Sequence, residues 1–328
     1  MTTKRPSILL VTTGGTFGML PGAKGFLRGV LKAVPEARAT ADLDVASPFA
    51  LDSSSLTPEH WKTLARLIAS RMDDYDGFVV THGTDTMAYT ASALSFMLEG
   101  LRKPVVLTGA QRPLAEVRND ARGNLIDAVE VAAHGLPEVV IAFGGLVLRG
   151  NRARKWSLSD YRAFASPNYP ALGEAGATLQ FHPEHWRKPK GAFRLQEALD
   201  PRVLHLRLAP GLFGSHLEGL DLTSVRGVVL EAFGAGNVPL DPKGREVFPL
   251  TRLAEQGVLV AICSGAEHGA VNLDLYDGGR RAKTAGAVSA GNMTSEAAVV
   301  KLMCALGRAR TPADAARLFR REWAGEGG

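Results

Sequence analysis

Residues 77–97 read GFVVTHGTDTMAYTASALSFM, and this stretch decides the class of fold. It begins with the apolar run 78–80, passes through a polar loop, and ends with Ala88, Leu94 and Met97 at helical spacing. An uninterrupted apolar run is typical of a strand covered on both faces of a parallel sheet. A strand that leads directly into a helix is half of a βα unit, so the stretch predicts an α/β fold.

The same alternation extends along the whole chain. Further apolar runs of strand length lie at residues 8–11, 105–107, 139–143, 203–208, 228–230 and 258–262. Helix starts separate them. Thr57 and Pro58 read as an N-cap and first helical position ahead of a stripe of Trp61, Leu64, Ile68 and Met72, and two later helices start at Thr294 and at Thr311.

The charged, proline-containing stretch 181–202 lacks a clean period, which indicates a connector. We therefore predict an α/β protein of two domains. Residues 1–185 form the larger N-terminal domain, a mainly parallel sheet flanked by helices; residues 186–202 form a linker; residues 203–328 form a smaller C-terminal α/β domain. A length of 328 residues agrees with two domains at about 150 residues each.

Composition excludes several classes of function. The 38 basic and 33 acidic side chains leave a net charge of +5, too small an excess to predict a nucleic-acid partner. The apolar run 8–11 is too short for a signal peptide or a membrane span, so we expect a cytoplasmic protein with no membrane partner. Cys263 and Cys304 lie in apolar runs, which predicts buried free thiols and neither a disulfide nor a cysteine metal site.

Polar residues follow three of the predicted strands directly. Residues 12–16 read TTGGT, residues 81–86 read THGTDT, and residues 108–113 read TGAQRP. Because ligands of parallel sheets bind outside the carboxyl ends of the strands, these segments are the candidate site.

Each segment has a purely structural alternative. Gly14 and Gly15 allow a backbone to approach a ligand, or simply form a turn. Thr84 and Asp85 suit a hydroxyl activated by a neighbouring base, or an N-cap for the helix that follows. Residues 149–155 (RGNRARK) hold four cations: this is a solvated or anion-binding face, or a set of arginines that favours the neutral, basic form of Lys155.

Taken together, the segments at 13–16 (TGGT) and 82–87 (HGTDTM) resemble the two signature segments of the bacterial-type L-asparaginase family. The resemblance extends through residues 73–111, 150–170 and 234–237, and the stretch 52–58 is most similar to the cytoplasmic type I branch. It implies hydrolysis of the side-chain amide of asparagine, and in some members of glutamine, to the acid and ammonia, without a metal or cofactor.

The resemblance also implies roles for individual residues. Thr16 matches the nucleophile that forms an acyl-enzyme, while Thr84, Asp85 and Lys155 match a second, triad-like group; which threonine attacks first is left open. Substrate contacts are implied for Ser53 and Ser54, and backbone contacts to anionic atoms are expected at Gly15, Gly83 and Thr84. Asn237 matches a residue that reaches a neighbouring subunit's site, which implies a homodimer, commonly assembled into a homotetramer.

One departure from the family concerns Phe26. The family normally has a tyrosine in this loop, whose hydroxyl reaches the nucleophilic threonine, and phenylalanine has none. Either another hydroxyl replaces it, or the loop aligns differently, or activity is weak or redirected. Cys263 does not match the cysteine of the allosteric pocket of type I relatives, so such regulation is not expected.

Two other functions share these signatures. One is an amidotransferase component that deamidates glutamine to supply ammonia, although such proteins usually have an extra N-terminal domain, which is not seen before Ser7. The other is a non-enzymatic amino-acid sensor, which the phenylalanine at position 26 motivates. The asparaginase interpretation is favoured because turn and cap chemistry does not require Thr16, Asp85 and Lys155 at one edge of a sheet.

Overall fold

The computed structural model describes residues 5–15, 32, 34–212 and 222–327. Thr16 and Phe26 therefore lie outside the described residues. The chain divides into an N-terminal unit, Met1–Glu197, and a C-terminal unit, Ala198–Gly328. The division falls within the stretch for which the sequence predicts a linker.

The N-terminal unit is built on a mixed, mainly parallel sheet. Its strands are β1 (Ser7–Thr12), β2 (Asp42–Ala46), β3 (Gly77–Thr81), β5 (Val105–Thr108), β6 (Val139–Phe143), β7 (Leu146–Arg149), β10 (Gly173–Ala175) and β11 (Leu179–Phe181). Among the described residues the spatial order is β11-β10-β7-β6-β5-β3-β1-β2. The five strands from β6 to β2 are parallel, and β7, β10 and β11 are antiparallel additions at one edge.

Within the described residues, the helices α1 (Ala37–Thr40), α2 (Pro58–Ser70), α3 (Met87–Met97) and α4 (Ala121–Ala133) accompany this sheet. Short strand pairs complete the unit, with β4 (Leu98–Glu99) antiparallel to β12 (Arg194–Leu195) and β8 (Arg154–Lys155) antiparallel to β9 (Phe164–Ala165). On one face, Leu10, Val79 and Val106 of the sheet share a fully buried core with Leu125 and Val129 of α4. Burying each such side chain stabilises the fold by about 1.5–3 kcal/mol.

The predicted start of α2 is confirmed, but its predicted end is wrong. The Thr57 side chain and the His60 ring form a reciprocal capping box, with Pro58 at the first helical position. The helix ends at Ser70, so Met72 lies beyond it, in the turn that follows, although it is buried.

The C-terminal unit has a four-stranded parallel sheet. Its strands are β13 (Val203–Arg207), β14 (Gly227–Ala232), β15 (Leu259–Ser264) and β16 (Val288–Ser289), in that spatial order within the described residues. Its helices are α5 (Leu250–Glu255), α6 (Asp277–Thr284), α7 (Ser295–Arg308) and α8 (Pro312–Arg320). The side chains of Thr294 and Thr311 accept hydrogen bonds from the first turns of α7 and α8, which confirms both predicted helix starts.

The two-domain α/β class is thus confirmed, and so is the state of the cysteines. Cys263 and Cys304 are both fully buried, and neither takes part in a disulfide bond. No helix in the described part of the chain is both long enough and apolar enough to cross a membrane.

Candidate active site

Three polar segments meet at the carboxyl edge of the central strands, as the sequence predicts. Thr81 at the end of β3 pairs with Thr12 on β1 and with Thr108 on β5. The chain continues this pairing one residue further, because the amide of His82 donates to the carbonyl of Thr108 and the amide of Thr13 donates to that of Thr81. The segments after β1, β3 and β5 therefore leave the sheet side by side.

Glycines allow these segments to touch each other. A methyl group added to Gly15 would lie 2.6 Å from the amide nitrogen of Gly83, and one added to Gly83 would lie 2.6 Å from the Ser53 hydroxyl oxygen. Gly15 also has a φ of +72°, a conformation that side-chain-bearing residues rarely adopt. Gly15, Gly83 and Ser53 thus form a close stack that any larger residue would separate.

Lys155 forms hydrogen bonds with the side chains of Thr84 and Asp85, the two residues that come after Gly83. Its Nζ donates to the hydroxyl oxygen of Thr84 at 2.8 Å and to Oδ1 of Asp85 at 2.6 Å. The Thr84 residue and the Lys155 side chain are 8% and 16% exposed, whereas the Asp85 side chain is 63% exposed. The hydroxyl and the amine are therefore largely shielded from water while the carboxylate faces solvent.

The capping alternative for Thr84 and Asp85 is wrong. Helix α3 begins at Met87 with Thr86 as its N-cap, and no side chain caps it. The Thr86 hydroxyl instead donates to the carbonyl of Ser53 at 2.8 Å, which fixes the Ser53 turn to the start of α3.

Two of the arginines that precede Lys155 are buried and have partners of their own. Arg149 is 4% exposed, forms a buried ion pair with Glu138 at 2.6 Å and stacks over the Tyr169 ring. Arg152 is 2% exposed and donates to the carbonyl of Asn168 at 2.7 Å. Neither forms a solvated face, and the charge of Arg149 is compensated by Glu138, so the predicted crowding of Lys155 by cations is not supported for these two residues.

Ser53 and Ser54 lie in one turn of 3₁₀-helix, Ser53–Ser55, with Asp52 as its N-cap. The Asp52 carboxylate accepts from both the amide and the hydroxyl of Ser54, and these hydrogen bonds lower the pKa of Asp52. Ser53 is buried against Gly83, whereas Ser54 is exposed. The two serines therefore present their hydroxyls to different surroundings.

Gln111 is a site residue to which the sequence reasoning gave no role. Its Nε2 donates to the carbonyls of Ser157 and Asp160, at 3.2 and 3.4 Å, and its Oε1 lies 3.5 Å from the Thr84 hydroxyl. The Asp120 carboxylate in turn accepts from the main-chain amide of Gln111 at 2.9 Å. Gln111 thus links Thr84 to the segment that follows Lys155. The sequence signal that could have identified Gln111 is its position directly after β5.

Asn237 lies in the C-terminal unit, in a tight turn closed by reciprocal backbone hydrogen bonds with Phe233. The turn requires glycine at Gly236, whose φ is +98°. Asn237 lines a cavity of about 600 Å³ together with Tyr276 and Asp277. Within the ranges that the structure describes, no group of three or more histidine, cysteine or acidic side chains is arranged to hold a metal ion.

Two family models match this chain and together span most of it. The model described as "Asparaginase, N-terminal" matches residues 7–187, and the "Glutaminase/Asparaginase C-terminal domain" matches residues 202–319.

Several proteins that are similar to this chain are named as L-asparaginases. An L-asparaginase of Thermococcus kodakarensis is 39% identical over 84% of this chain and 83% of its own length. L-asparaginase 1 of Escherichia coli K12 is 36% identical over 91% of both chains. The crystal structure of L-asparaginase I from Vibrio cholerae has a TM-score of 0.88 at 36% identity, covering 99% of each chain. A probable cytoplasmic L-asparaginase from Campylobacter jejuni has a TM-score of 0.81 at 28% identity, covering 97% of this chain and 100% of its own.

Two further relatives are named for other activities. A 60 kDa lysophospholipase of Mus musculus is 43% identical over 78% of this chain. The match spans about half of that protein's own length (46%). A component of the glutamyl-tRNA(Gln) amidotransferase from Thermococcus kodakarensis is 33% identical over 98% of this chain and 76% of its own length.

Proposed function

The chain belongs to the asparaginase family and is an amidohydrolase, and we propose that it hydrolyses the side-chain amide of L-asparagine to L-aspartate and ammonia. The observation that carries the proposal is the shielded contact between the Lys155 amine and the Thr84 hydroxyl, beside the solvent-facing carboxylate of Asp85. A threonine hydroxyl becomes a useful nucleophile or proton relay only next to a base, and Lys155 is proposed to be that base once its amine has given up a proton.

The proposed reaction has two halves. In the first, a threonine Oγ bonds to the side-chain carbonyl carbon, the carbon–nitrogen bond breaks, and ammonia leaves with the proton that the hydroxyl gave up. In the second, a water oxygen bonds to the acyl carbon, the Oγ–carbon bond breaks, and a water proton returns to the threonine. We assign the nucleophile to Thr16 by its motif, and the proton transfer between Thr84 and Lys155 to the second group.

Substrate binding follows from the charges at the edge of the sheet. Asp85, whose side chain is 63% exposed, is proposed to hold the α-ammonium group as well as Lys155. Ser53 and Ser54 are proposed to contact the α-carboxylate and nearby atoms. Backbone amides of Gly15, Gly83 and Thr84 are proposed to stabilise the negative charge that develops on the amide oxygen.

We further propose a cytoplasmic homodimer or homotetramer in which Asn237 of one subunit completes the site of another. The turn that presents Asn237 is partly exposed, with Phe233 37% exposed and Asn237 half-buried, and this supports the role. The Campylobacter jejuni neighbour named as probably cytoplasmic supports the location.

Ammonia release from purified protein tests the activity. Wild type, Thr16→Ala and Thr84→Val are compared with L-asparagine and with L-glutamine as substrates. We expect wild type to release ammonia from asparagine and both variants to fall to background. Equal background rates for all three proteins would remove the enzymatic function and leave an amino-acid sensor.

Glutamine hydrolysis is the second candidate, because the amidotransferase component is similar over nearly the whole of this chain. In the same assay, hydrolysis of glutamine but not of asparagine would identify glutamine as the substrate. That result would favour a protein whose function is to supply ammonia.

A further inference from the structure

Four buried groups form a continuous hydrogen-bonded relay beneath the Gly83–Thr84 peptide. The Trp61 indole Nε1 lies 3.1 Å from the Thr90 hydroxyl oxygen, which lies 2.8 Å from Nε2 of His82. Nδ1 of His82 lies 2.7 Å from the carbonyl oxygen of Gly83. Trp61, His82 and Thr90 are at most 6% exposed, so the relay is closed to solvent.

The direction of each bond in the relay follows from the chemistry of its ends. A carbonyl oxygen only accepts, so Nδ1 of His82 must carry the hydrogen that bonds Gly83. An indole N–H only donates, so the Thr90 oxygen accepts from Trp61 and its own hydrogen is free to bond Nε2 of His82. This assignment satisfies every donor and acceptor with a neutral imidazole. A second proton on His82 would leave the Thr90 hydrogen without its acceptor, which agrees with the low pKa of this buried ring, about 4.

The bond to Gly83 also fixes the other side of the same peptide. The structure has no cis peptide bonds among the residues it describes, and in a planar trans peptide the carbonyl and the following N–H point in opposite directions. With the Gly83 carbonyl turned toward His82, the Thr84 amide points away from the imidazole. That amide has no acceptor among residues 5–15, 32, 34–212 and 222–327.

We propose that His82, oriented by Thr90 and Trp61, is a positioning residue that aims the Thr84 amide at the oxygen of the substrate amide. The inference rests on the proposed function and adds to it a group that never touches substrate. Because an oxyanion contact strengthens only as charge develops, losing its alignment lowers kcat more than it raises KM.

Thr90→Val is the informative variant, since valine has the same shape but neither accepts from Trp61 nor donates to His82. We expect kcat for the amide substrate to fall about 10-fold to 100-fold, with KM changed less than about threefold. Thr90→Ser restores the hydroxyl and is expected to stay within about threefold of wild type. Ser92→Ala is the matched control, because it removes another fully buried hydroxyl from α3, one that bonds only the carbonyl of Ala88. Equal effects of Thr90→Val and Ser92→Ala on kcat, or an unchanged kcat in Thr90→Val, would overturn the proposal.

A spectroscopic measurement decides the relay independently of turnover. The ¹⁵N shifts of His82 in labelled wild-type protein at neutral pH are expected to show the tautomer protonated at Nδ1, and in Thr90→Val a mixture of tautomers. A wild-type ring protonated at Nε2 could not bond Gly83 and would overturn the proposal even if the enzyme is active. If no amide is hydrolysed but the Nδ1 tautomer is found, the proposed function fails while the relay stands; titration with L-aspartate then tests whether the Thr84 amide resonance moves, and an unmoved resonance would overturn its role as a donor.

Discussion

The amine of Lys155 donates a hydrogen bond to the hydroxyl of Thr84 although 71 residues separate them in the chain. Thr84 follows the central strand β3, and Lys155 lies on the short strand β8, which pairs with β9. The same amine is 2.6 Å from Asp85, so one ammonium group meets both side chains. Lys155 can accept the Thr84 proton only after it has released one of its own. The proton transfers of the two residues are therefore coupled.

Lys155→Met is expected to reduce ammonia release about 10³-fold, as Thr84→Val should, because either change removes the proton relay. The double variant is expected to be no worse than either single one, since groups that act as a unit are not additive. The measurement is kcat with L-asparagine, and Lys190→Met, at an exposed lysine, is the control. Losses that multiply in the double variant would mean that the two residues act independently.

Gly83→Ala is expected to reduce turnover at least 10-fold. The added carbon would lie 2.7 Å from the Ser53 Cβ, and so the loop after β3 must move away from the Ser53 turn. Gly123→Ala is the control: it lies within α4 with nothing within 4 Å of the new carbon, and should stabilise the protein by up to about 1 kcal/mol. Full activity in Gly83→Ala would show that the stack of Gly15, Gly83 and Ser53 is not required.

Phe26→Tyr is expected to raise kcat if the missing hydroxyl limits Thr16. Steady-state kinetics with L-asparagine measure the effect, and Phe193→Tyr, in the half-buried segment before β12, serves as control. An unchanged or reduced rate would tell against this explanation of the departure at position 26.

The buried neutral state of His82 makes stability depend on pH. Burial lowers the pKa of His82 from 6.5 to about 4 in the folded protein, so between these values the unfolded chain binds a proton that the folded chain does not. The effect of His82 on the free energy of unfolding is therefore constant above pH 6.5. Below that value the free energy of unfolding falls as the pH drops toward 4 and then levels off, with a total loss on the order of 3 kcal/mol.

Denaturant unfolding of wild type and of His82→Asn at several pH values isolates this contribution. The difference between the two proteins is expected to shrink as the pH falls from 6.5 to about 4. His134→Asn, at an exposed histidine, should follow the wild-type curve. Parallel curves for wild type and His82→Asn would contradict a depressed pKa.

A buried ion pair secures the end of the C-terminal unit. Lys301 on α7 lies 2.6 Å from Glu326, both side chains are at most 3% exposed, and burial lowers the pKa of Lys301. Glu326 also accepts from the amides of Trp323 and Ala324.

Glu326→Gln is expected to destabilise this unit by about 3 kcal/mol, because it leaves the Lys301 charge buried without its partner. Thermal unfolding monitored by circular dichroism measures the loss. Glu322→Gln, at an exposed position of the same segment, should change stability by less than about 0.5 kcal/mol. Similar shifts in the two variants would show that the ion pair contributes nothing specific.

The sequence by itself determined the fold class and the central strands of both sheets, because uninterrupted apolar runs are local signals, and so are cap residues such as Thr57 and Thr294. It also identified the edge of the sheet, since polar residues directly follow β1, β3 and β5. The roles of Thr84 and Asp85 were open in the sequence, where a cap and a catalytic pair look alike.

Only the tertiary structure decided between them, because the choice depends on where distant groups lie. Lys155 meets Thr84 across 71 residues, Glu138 compensates the buried charge of Arg149, and Gln111 bridges Thr84 to the segment at 157–160. The relay from Trp61 through Thr90 to His82 is likewise invisible to spacing. Hydrogen bonds of this kind are made by side chains that the fold brings together, and no local pattern encodes their partners.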